Sequence, residues 1–167
     1  MRIGVLTVLY NHLTIEDVLD KIAKLGIGAV EIKTNPSSGQ GHLDLDRLLE
    51  HGGEREAYLA LIHEHQMIIS GLSCHANPLH PDLKVAKNAD DIFRKTVQLA
   101  MLMEVPVVNT FSGLPAGCRD DRMPNWVTCP WPPHFLEMLD YQWNQVAIPY
   151  WKEASAYARD HGVKIGI

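Results

Sequence analysis

The sequence has few cysteines and no spacing that would pair them or bind zinc. Cys74, Cys118 and Cys129 are odd in number, and none belongs to a C-x-x-C pair. A disulfide framework and a zinc finger are therefore both disfavoured. We expect reduced thiols, with Cys74 as a small core residue.

Long apolar runs and clustered positive charge are missing as well. No apolar stretch approaches the roughly 20 residues that a membrane helix requires, and the N-terminus leads into a strand-like run rather than a signal-peptide core. The net charge is −5, and the lysines and arginines are scattered. Such a chain has no basic stripe for a phosphate backbone. We expect a cytosolic protein that binds neither membranes nor nucleic acid.

What the sequence does contain is an alternation of strand-like and helix-like segments. Apolar, β-branched runs begin near Ile3, Ala29, Met67, Val107 and Val163. The first run, 3–9, is nearly continuous, which is typical of a strand buried on both faces. Strands separated by helices pair in parallel through right-handed crossovers. The 46% apolar content is ample for a core, and 167 residues fit one domain.

Several residues predict where the helices begin, break and end. Thr14 is placed to cap the first helix, and Gly52–Gly53 splits the next helical region in two. A further helix is expected over 89–103. The longest helical pattern covers 135–161, and Pro149 predicts a kink or break within it.

This element order fits either an open, doubly wound sheet of the flavodoxin type or part of a barrel. An open nucleotide-binding sheet carries a glycine-rich phosphate loop after its first strand, whereas Tyr10, Asn11 and His12 follow the strand here. The chain also ends inside a strand with no helix to cover it. We therefore predict an α/β protein in which residues 1–167 are the N-terminal portion of a single TIM-type (β/α)8 barrel. This incomplete barrel would contain the first four βα units and the fifth strand, with no internal boundary.

Polar side chains cluster where the predicted strands end. The candidates are Glu31 near the end of the second strand and Asn35 after it, His75 and Asn77 after the third, and Asn109 and Ser112 at the fourth. In parallel barrels the active site lies at the carboxyl ends of the strands. We therefore expect these side chains to line a pocket.

Four segments carry a resemblance to a known family. They are Gly28–Ile32, Ser73–Pro78, Val107–Gly113 and Ala156–Ile167, and together they span the chain. In order and separation they resemble the xylose isomerase-like sugar isomerases and epimerases, whose barrel is shared with the type IV apurinic endonucleases.

The resemblance implies a divalent metal (Mn, Mg, Zn or Co) at the barrel mouth. Such a metal binds adjacent sugar oxygens and stabilises an enediolate, while glutamates move a proton on carbon. The family's ligands come from the fifth to eighth strands, so we expect metal ligands and catalytic residues beyond Ile167. No metal ligand is assigned within residues 1–167, and this segment alone is expected to be inactive.

The resemblance carries substrate contacts over to this chain. Glu31 and His75 match by motif, and Asn109 and Ser112 match more loosely. In the endonucleases the fourth strand ends in a second histidine ligand, whereas this sequence has Asn109 and Thr110 there. Together with the acidic charge, this difference argues against an endonuclease.

Each candidate also has a simpler interpretation. His75 could hydrogen-bond a sugar hydroxyl or only backbone groups in its loop. Glu31 either faces the mouth or pairs with a cation such as Lys33 or Arg2, because an unpaired buried carboxylate is costly. His80 could be a second ligand, but a surface histidine is the favoured interpretation.

The segment 111–134 is long, rich in proline and contains Trp126 and Trp131. A connection of this length between strand and helix is typically functional or disordered, and its aromatics argue against disorder. The two tryptophans could form a lid that stacks against a sugar, or they could form a subunit contact.

The sequence thus predicts a metal-dependent sugar or sugar-phosphate isomerase or epimerase, expected to be a homo-oligomer acting on a small sugar or polyol. A dehydratase or lyase acting on a cyclitol or keto acid would use the same barrel and the same enediolate chemistry. A third possibility is a non-catalytic half-barrel that works by association, because an incomplete barrel exposes two sheet edges.

Overall fold

The computed structural model describes residues 3–34 and 41–167; Arg2 and Asn35, named above as candidates, lie outside these ranges. A five-stranded parallel sheet forms the centre of the molecule. Its strands are β1 (Gly4–Leu6), β2 (Ala29–Lys33), β3 (Ile68–Cys74), β4 (Val107–Thr110) and β5 (Lys164–Gly166).

Helices connect the strands. They are α1 (Ile15–Lys24), α2 (Leu45–Glu50), α3 (Gly52–Glu64), α4 (Leu83–Leu102), α5 (Phe135–Asp140) and α6 (Ile148–Asp160). A 3₁₀ helix, Thr7–Tyr10, follows β1, and a π-helix, Tyr141–Ala147, lies between α5 and α6. Within the described ranges, no helix is both long enough and apolar enough to cross a membrane.

The strand order separates the two architectures that the sequence left open. The strands lie side by side in chain order, β1-β2-β3-β4-β5, and every neighbouring pair is parallel. A flavodoxin-type sheet would place β1 between β2 and β3. Because the order never reverses, right-handed crossovers place all the helices on one face, as in a barrel. The predicted fold class, part of a TIM-type barrel, is confirmed.

The hydrophobic core lies between the sheet and the helices. Fully buried strand residues, Val30, Ile32, Leu72 and Val108, pack with helix residues such as Val18, Ile22, Val97 and Leu99. Each such side chain contributes about 1.5–3 kcal/mol through its removal from water. This core fixes which face of each strand points away from the helices.

The predicted first strand over 3–9 is wrong in its second half. The chain leaves the sheet after Leu6 and turns through the 3₁₀ helix, so that Leu9 is 71% exposed. A further turn, with Leu13 N–H bonded to the Tyr10 carbonyl at 2.9 Å, leads into α1. An apolar run by itself does not show where a strand stops.

The predicted signals for the early helices are confirmed. Thr14 Oγ1 accepts a hydrogen bond from Asp17 N–H at 3.2 Å, which caps α1. The helical region after β2 is split in two, with His51 as the residue between α2 and α3.

The fourth helix begins at Leu83, earlier than the predicted start at residue 89. Asp82 caps it, its side chain accepting from Lys84 N–H at 2.8 Å. Leu83 and Val85 are both exposed, so this first turn presents no apolar stripe to the core. Hydrophobic periodicity therefore underestimates the length of the helix.

The predicted break at Pro149 is misplaced. Pro149 lies in the first turn of α6, where a missing N–H is tolerated. The irregularity falls before it, in the π-helix Tyr141–Ala147. Pro149 therefore marks the beginning of α6, and the irregular part of the predicted helix lies in the residues before it.

Candidate active site

The face of the sheet that points away from the helices is polar near the strand ends. Side chains of directly paired residues share a face, and the register aligns Lys33, Ser73, Asn109 and Gly166 in one row across four strands. Glu31 and Gly71 form the preceding pair on the same face, two residues earlier in each strand. In a closed barrel this surface is the inner wall leading to the mouth.

A β-bulge in β3 sets this arrangement. Val30 pairs with Ile69, but Glu31 pairs with Gly71, so Ser70 is an extra residue in β3. The Ser70 hydroxyl donates to the Val30 carbonyl at 3.1 Å. Because the bulge absorbs one residue, Ile69 packs in the core while Gly71 turns to the inner face.

Glu31 and Asn109 form a hydrogen bond on the inner face. Asn109 Nδ2 donates to Glu31 Oε2 at 2.8 Å. The contact passes over Gly71, where a Cβ would lie only 3.2 Å from Asn109 Nδ2. The two candidates from the sequence are thus brought together, and Gly71 leaves the space between them.

Ser73 adds a buried hydroxyl to the same row. Its side chain is fully buried, and its Oγ has no hydrogen-bond partner among the residues that the structure describes. A buried polar group in this state is satisfied by a water molecule or a ligand. Sequence reasoning did not name Ser73 as a site residue, because a serine within an apolar strand does not by itself show which face it occupies.

His75 lies beyond β3 at the wall of a cleft of about 560 Å³. Its ring stacks on Phe111, with centroids 4.4 Å apart. Ligand sites of small molecules have volumes in this range and are mostly apolar with a few polar groups. The lining includes His75, Asn77, Phe111, Leu114, Trp126 and Ile167.

Trp126 forms part of the cleft wall and is fixed from two sides. Its Nε1–H donates to the Gly113 carbonyl at 2.7 Å, and its ring packs on Trp143 with centroids 5.0 Å apart. Trp131 does not reach the cleft and is 73% exposed. The structure therefore separates the two tryptophans that the sequence treated as one group.

Gln142, in the π-helix, holds the long loop 111–134 in place. Its side chain is fully buried. Oε1 accepts from Val127 N–H at 3.1 Å, and Nε2 lies within hydrogen-bond distance of the Ala116 carbonyl and of two oxygens of Asn125. Sequence reasoning missed this residue, because a glutamine in a helical pattern ordinarily faces solvent.

Asp121 organises the loop from within. Its carboxylate accepts from the backbone N–H groups of Gly117 and Met123, each at 3.1 Å, and from Asn125 Nδ2 at 3.2 Å. The Met123 and Gly117 bonds hold the pKa of Asp121 below its ordinary value. The loop 111–134 therefore has its own internal hydrogen bonds, which organise its backbone.

Asn77 and Ser112 both line the cleft, and they make different contacts. Asn77 Oδ1 accepts a hydrogen bond from Leu114 N–H at 2.7 Å, and Asn77 Nδ2 donates to the Leu114 carbonyl at 2.9 Å. These two bonds connect the loop after β3 to the loop after β4. Ser112 is exposed, and its carbonyl accepts from Trp151 Nε1–H at 2.9 Å. His80 Nδ1 accepts from Asp82 N–H at 2.9 Å, in a loop that precedes α4.

Cys74 is buried at the end of β3 and packs on the helix side. Burial raises the pKa of its thiol to about 11. A thiol with so high a pKa carries almost no thiolate at neutral pH, which agrees with its expected role as a core residue.

The described residues do not form a metal site. Across 3–34 and 41–167, no three His, Cys, Asp or Glu side chains are grouped so that they could hold a metal ion. One oxygen of Glu31 is already bonded to Asn109.

A singly wound parallel sheet with polar side chains at its carboxyl ends defines a protein of the TIM-barrel class. The chain belongs to the xylose isomerase-like TIM barrel family, whose model matches residues 19–167. A curated relative, an uncharacterized protein named YfiH from Bacillus subtilis (strain 168), is 41% identical over 165 residues, which are 98% of this chain and 52% of the relative.

Solved structures share the fold at low sequence identity. The probable 3-DHS dehydratase AsbF from Bacillus anthracis superposes with a TM-score of 0.60 at 12% identity, covering 99% of this chain and 51% of that one. A D-psicose 3-epimerase from Clostridium cellulolyticum H10, solved with D-tagatose, gives 0.57 at 16% identity, with coverage of 99% and 51%. The chain thus spans about half the length of the proteins it matches.

Proposed function

We propose that this chain forms the substrate-binding half of a sugar or sugar-phosphate isomerase or epimerase. The proposal rests on the Glu31–Asn109 pair on the inner face and on the cleft beyond the ends of β3 and β4, which is walled by His75, Phe111 and Trp126. Carboxylate and amide groups bind sugar hydroxyls, and aromatic rings pack against the apolar face of a sugar.

The chemistry of the proposal is a proton transfer on carbon. A proton leaves the carbon next to the sugar carbonyl, and its electron pair moves to the carbonyl oxygen to give an enediolate. Return of the proton to the opposite face of the same carbon gives an epimer. Return to the adjacent carbon, with the hydroxyl proton moving from the first carbon's oxygen to the former carbonyl oxygen, gives an isomer. The described residues bind and orient the sugar for this step, while the acid and base are proposed to lie beyond residue 167.

A divalent metal belongs to the proposal through the family resemblance, with its ligands beyond residue 167. When bound, it would supply positive charge beside the developing enediolate oxygens. In this chain, Glu31 acts as a hydrogen-bond acceptor for a sugar hydroxyl. Ser73 Oγ, which has no partner among the described residues, is a further polar group on the same face of the sheet.

The test is carbon-bound proton exchange by the full-length natural protein. The protein is incubated in D₂O with Mn²⁺ and with each member of a panel of ketohexoses and sugar phosphates. Loss of the ¹H NMR signal of the C–H group next to the carbonyl is then followed. We expect exchange with at least one sugar, and a loss of about tenfold or more in kcat/KM in Glu31→Gln. Absence of exchange across the panel would contradict the proposed activity.

A second candidate is dehydration of a cyclitol or keto acid, favoured by the likeness to the structure described as a probable dehydratase. It would use the same inner-face contacts and the same initial loss of a proton. The same incubation includes 3-DHS and a keto-cyclitol, and the loss of water is followed by ultraviolet absorbance and mass spectrometry. Product from these compounds, without exchange on the sugars, would select this candidate.

A further inference from the structure

The Asn109 side chain occupies a space that two neighbouring strands leave free. Toward β3, Gly71 has no side chain, and a Cβ there would lie 3.2 Å from Asn109 Nδ2. Toward β5, a Cβ on Gly166 would overlap Asn109 Oδ1. The side-chain amide is therefore fitted between two glycines, one on each side.

This fit sets the direction of the amide. Its Nδ2 end points over Gly71 to Glu31 Oε2, and its Oδ1 end lies beside Gly166. Glu31 and Asn109 stand on β2 and β4, with β3 between them, so the hydrogen bond crosses an intervening strand. A side chain at residue 166 would compete with the amide for the same space. A Cβ at residue 71 would crowd both the amide and Val107, lying 3.2 Å from Asn109 Nδ2 and 3.1 Å from Val107 Cγ1.

We propose that Asn109 is a positioning residue for Glu31, and that Gly166 sets the orientation of its amide. With Oε2 held by Asn109, the second carboxylate oxygen of Glu31 is presented in a fixed direction to a substrate hydroxyl. An unheld carboxylate would rotate, and small misplacements of a binding group lower the rate of reaction considerably. The contact between Glu31 and a substrate rests on the proposed function. The orientation of the Asn109 amide by Gly166 does not depend on it.

Gly166→Ala tests the proposal without removing either partner. The added methyl displaces the end of the Asn109 side chain, which can rotate more readily than the backbone can move. In the full-length natural protein we expect kcat/KM to fall about tenfold, with the same division between kcat and KM as in Asn109→Ala. Gly28→Ala is the matched control, because a Cβ at Gly28 meets no atom within 4 Å, and it should retain wild-type activity.

The double variant provides the decisive comparison. If Gly166 acts through Asn109, the Asn109→Ala/Gly166→Ala protein should be no worse than Asn109→Ala alone. Losses that multiply, or a wild-type kcat/KM in Gly166→Ala, would overturn the proposal. Asn109→Asp is the alternative variant if Gly166→Ala disturbs folding, because it keeps the size of the side chain and removes its N–H donor. Full activity in Asn109→Asp would also overturn the proposal.

A second measurement separates this inference from the proposed function. The side-chain amide signal of Asn109 is followed by ¹⁵N–¹H NMR, and its exchange with water should rise at least tenfold in both Glu31→Ala and Gly166→Ala. Unchanged exchange in these variants overturns the positioning role, even if the enzyme is active. If amide exchange is faster in both variants but the wild-type protein turns over no sugar, the positioning role of Asn109 stands and the proposed reaction is wrong.

Discussion

Asn109 Nδ2 lies 2.8 Å from Glu31 Oε2, although the two residues stand on strands that are not neighbours in the sheet. Side chains directly across adjacent strands are within reach of one another, whereas a contact that passes over a whole strand needs an open position between them. Gly71 provides that position. Glu31 and Asn109 therefore act as a unit on the inner face.

His75→Ala is expected to affect catalysis more than stability. The imidazole borders the cleft and stacks on the exposed ring of Phe111, so its removal uncovers little core. We expect kcat/KM of the full-length protein to fall at least tenfold, about 1.4 kcal/mol. The Tm should shift by less than about 3 °C. His63→Ala, on an exposed position of α3, is the control and should change neither; a large fall in Tm with normal kinetics would make His75 a structural residue.

Gln142→Met should destabilise the protein. Methionine has a similar volume but leaves the Val127 N–H and the Ala116 carbonyl without their partner. Unpaired buried backbone groups cost about 1–3 kcal/mol each, which should be visible as a lower midpoint in urea. Gln145→Met, on an exposed position of the same π-helix, should stay within about 0.5 kcal/mol of the wild type. Equal stability of the two variants would show that Gln142 does not hold the loop.

Acid should loosen the loop 111–134 through Asp121. The pKa of this carboxyl is lowered by the N–H groups of Met123 and Gly117, so the carboxylate form stabilises the folded loop. That stabilisation is complete above the ordinary value of 3.8 and is lost as the pH falls through the lowered pKa. At neutral pH, Asp121→Ala should speed hydrogen exchange at Gly117 and Met123, and Asp120→Ala, at the neighbouring exposed position, should not.

The three cysteines should differ in reactivity. Cys118 and Cys129 are exposed, whereas Cys74 is buried and burial raises its pKa to about 11. A thiol reagent at pH 8 should modify the two exposed residues rapidly and Cys74 only after unfolding in guanidinium. Rapid modification of Cys74 in the native protein, located by peptide mass mapping, would contradict the buried position.

The order of the elements could be predicted because each strand and helix carries a strong local signal. The β2 run over 29–33 and the cap at Thr14 are determined by residues close in sequence. The early start of α4 at Leu83 was missed, because exposed first turns carry no apolar stripe. Local signals thus predict that an element exists better than they predict its ends.

The site was predictable only as a set of separate residues. Glu31, His75 and Asn109 could each be named from their place at a strand end. Their pairing could not, because it depends on strand register and on the open position at Gly71. Gln142 carried no signal, since its burial results from a loop that is distant in sequence.

The extra residue in β3 has a consequence for comparing this chain with its relatives. Ile69 and Gly71 are two positions apart, yet they face opposite sides of the sheet because Ser70 is absorbed by the bulge. A relative with a regular third strand would have one residue fewer at this point. A sequence alignment should therefore place its gap at Ser70, since a gap placed beyond Ser73 would match inner-wall residues of one protein with core residues of the other.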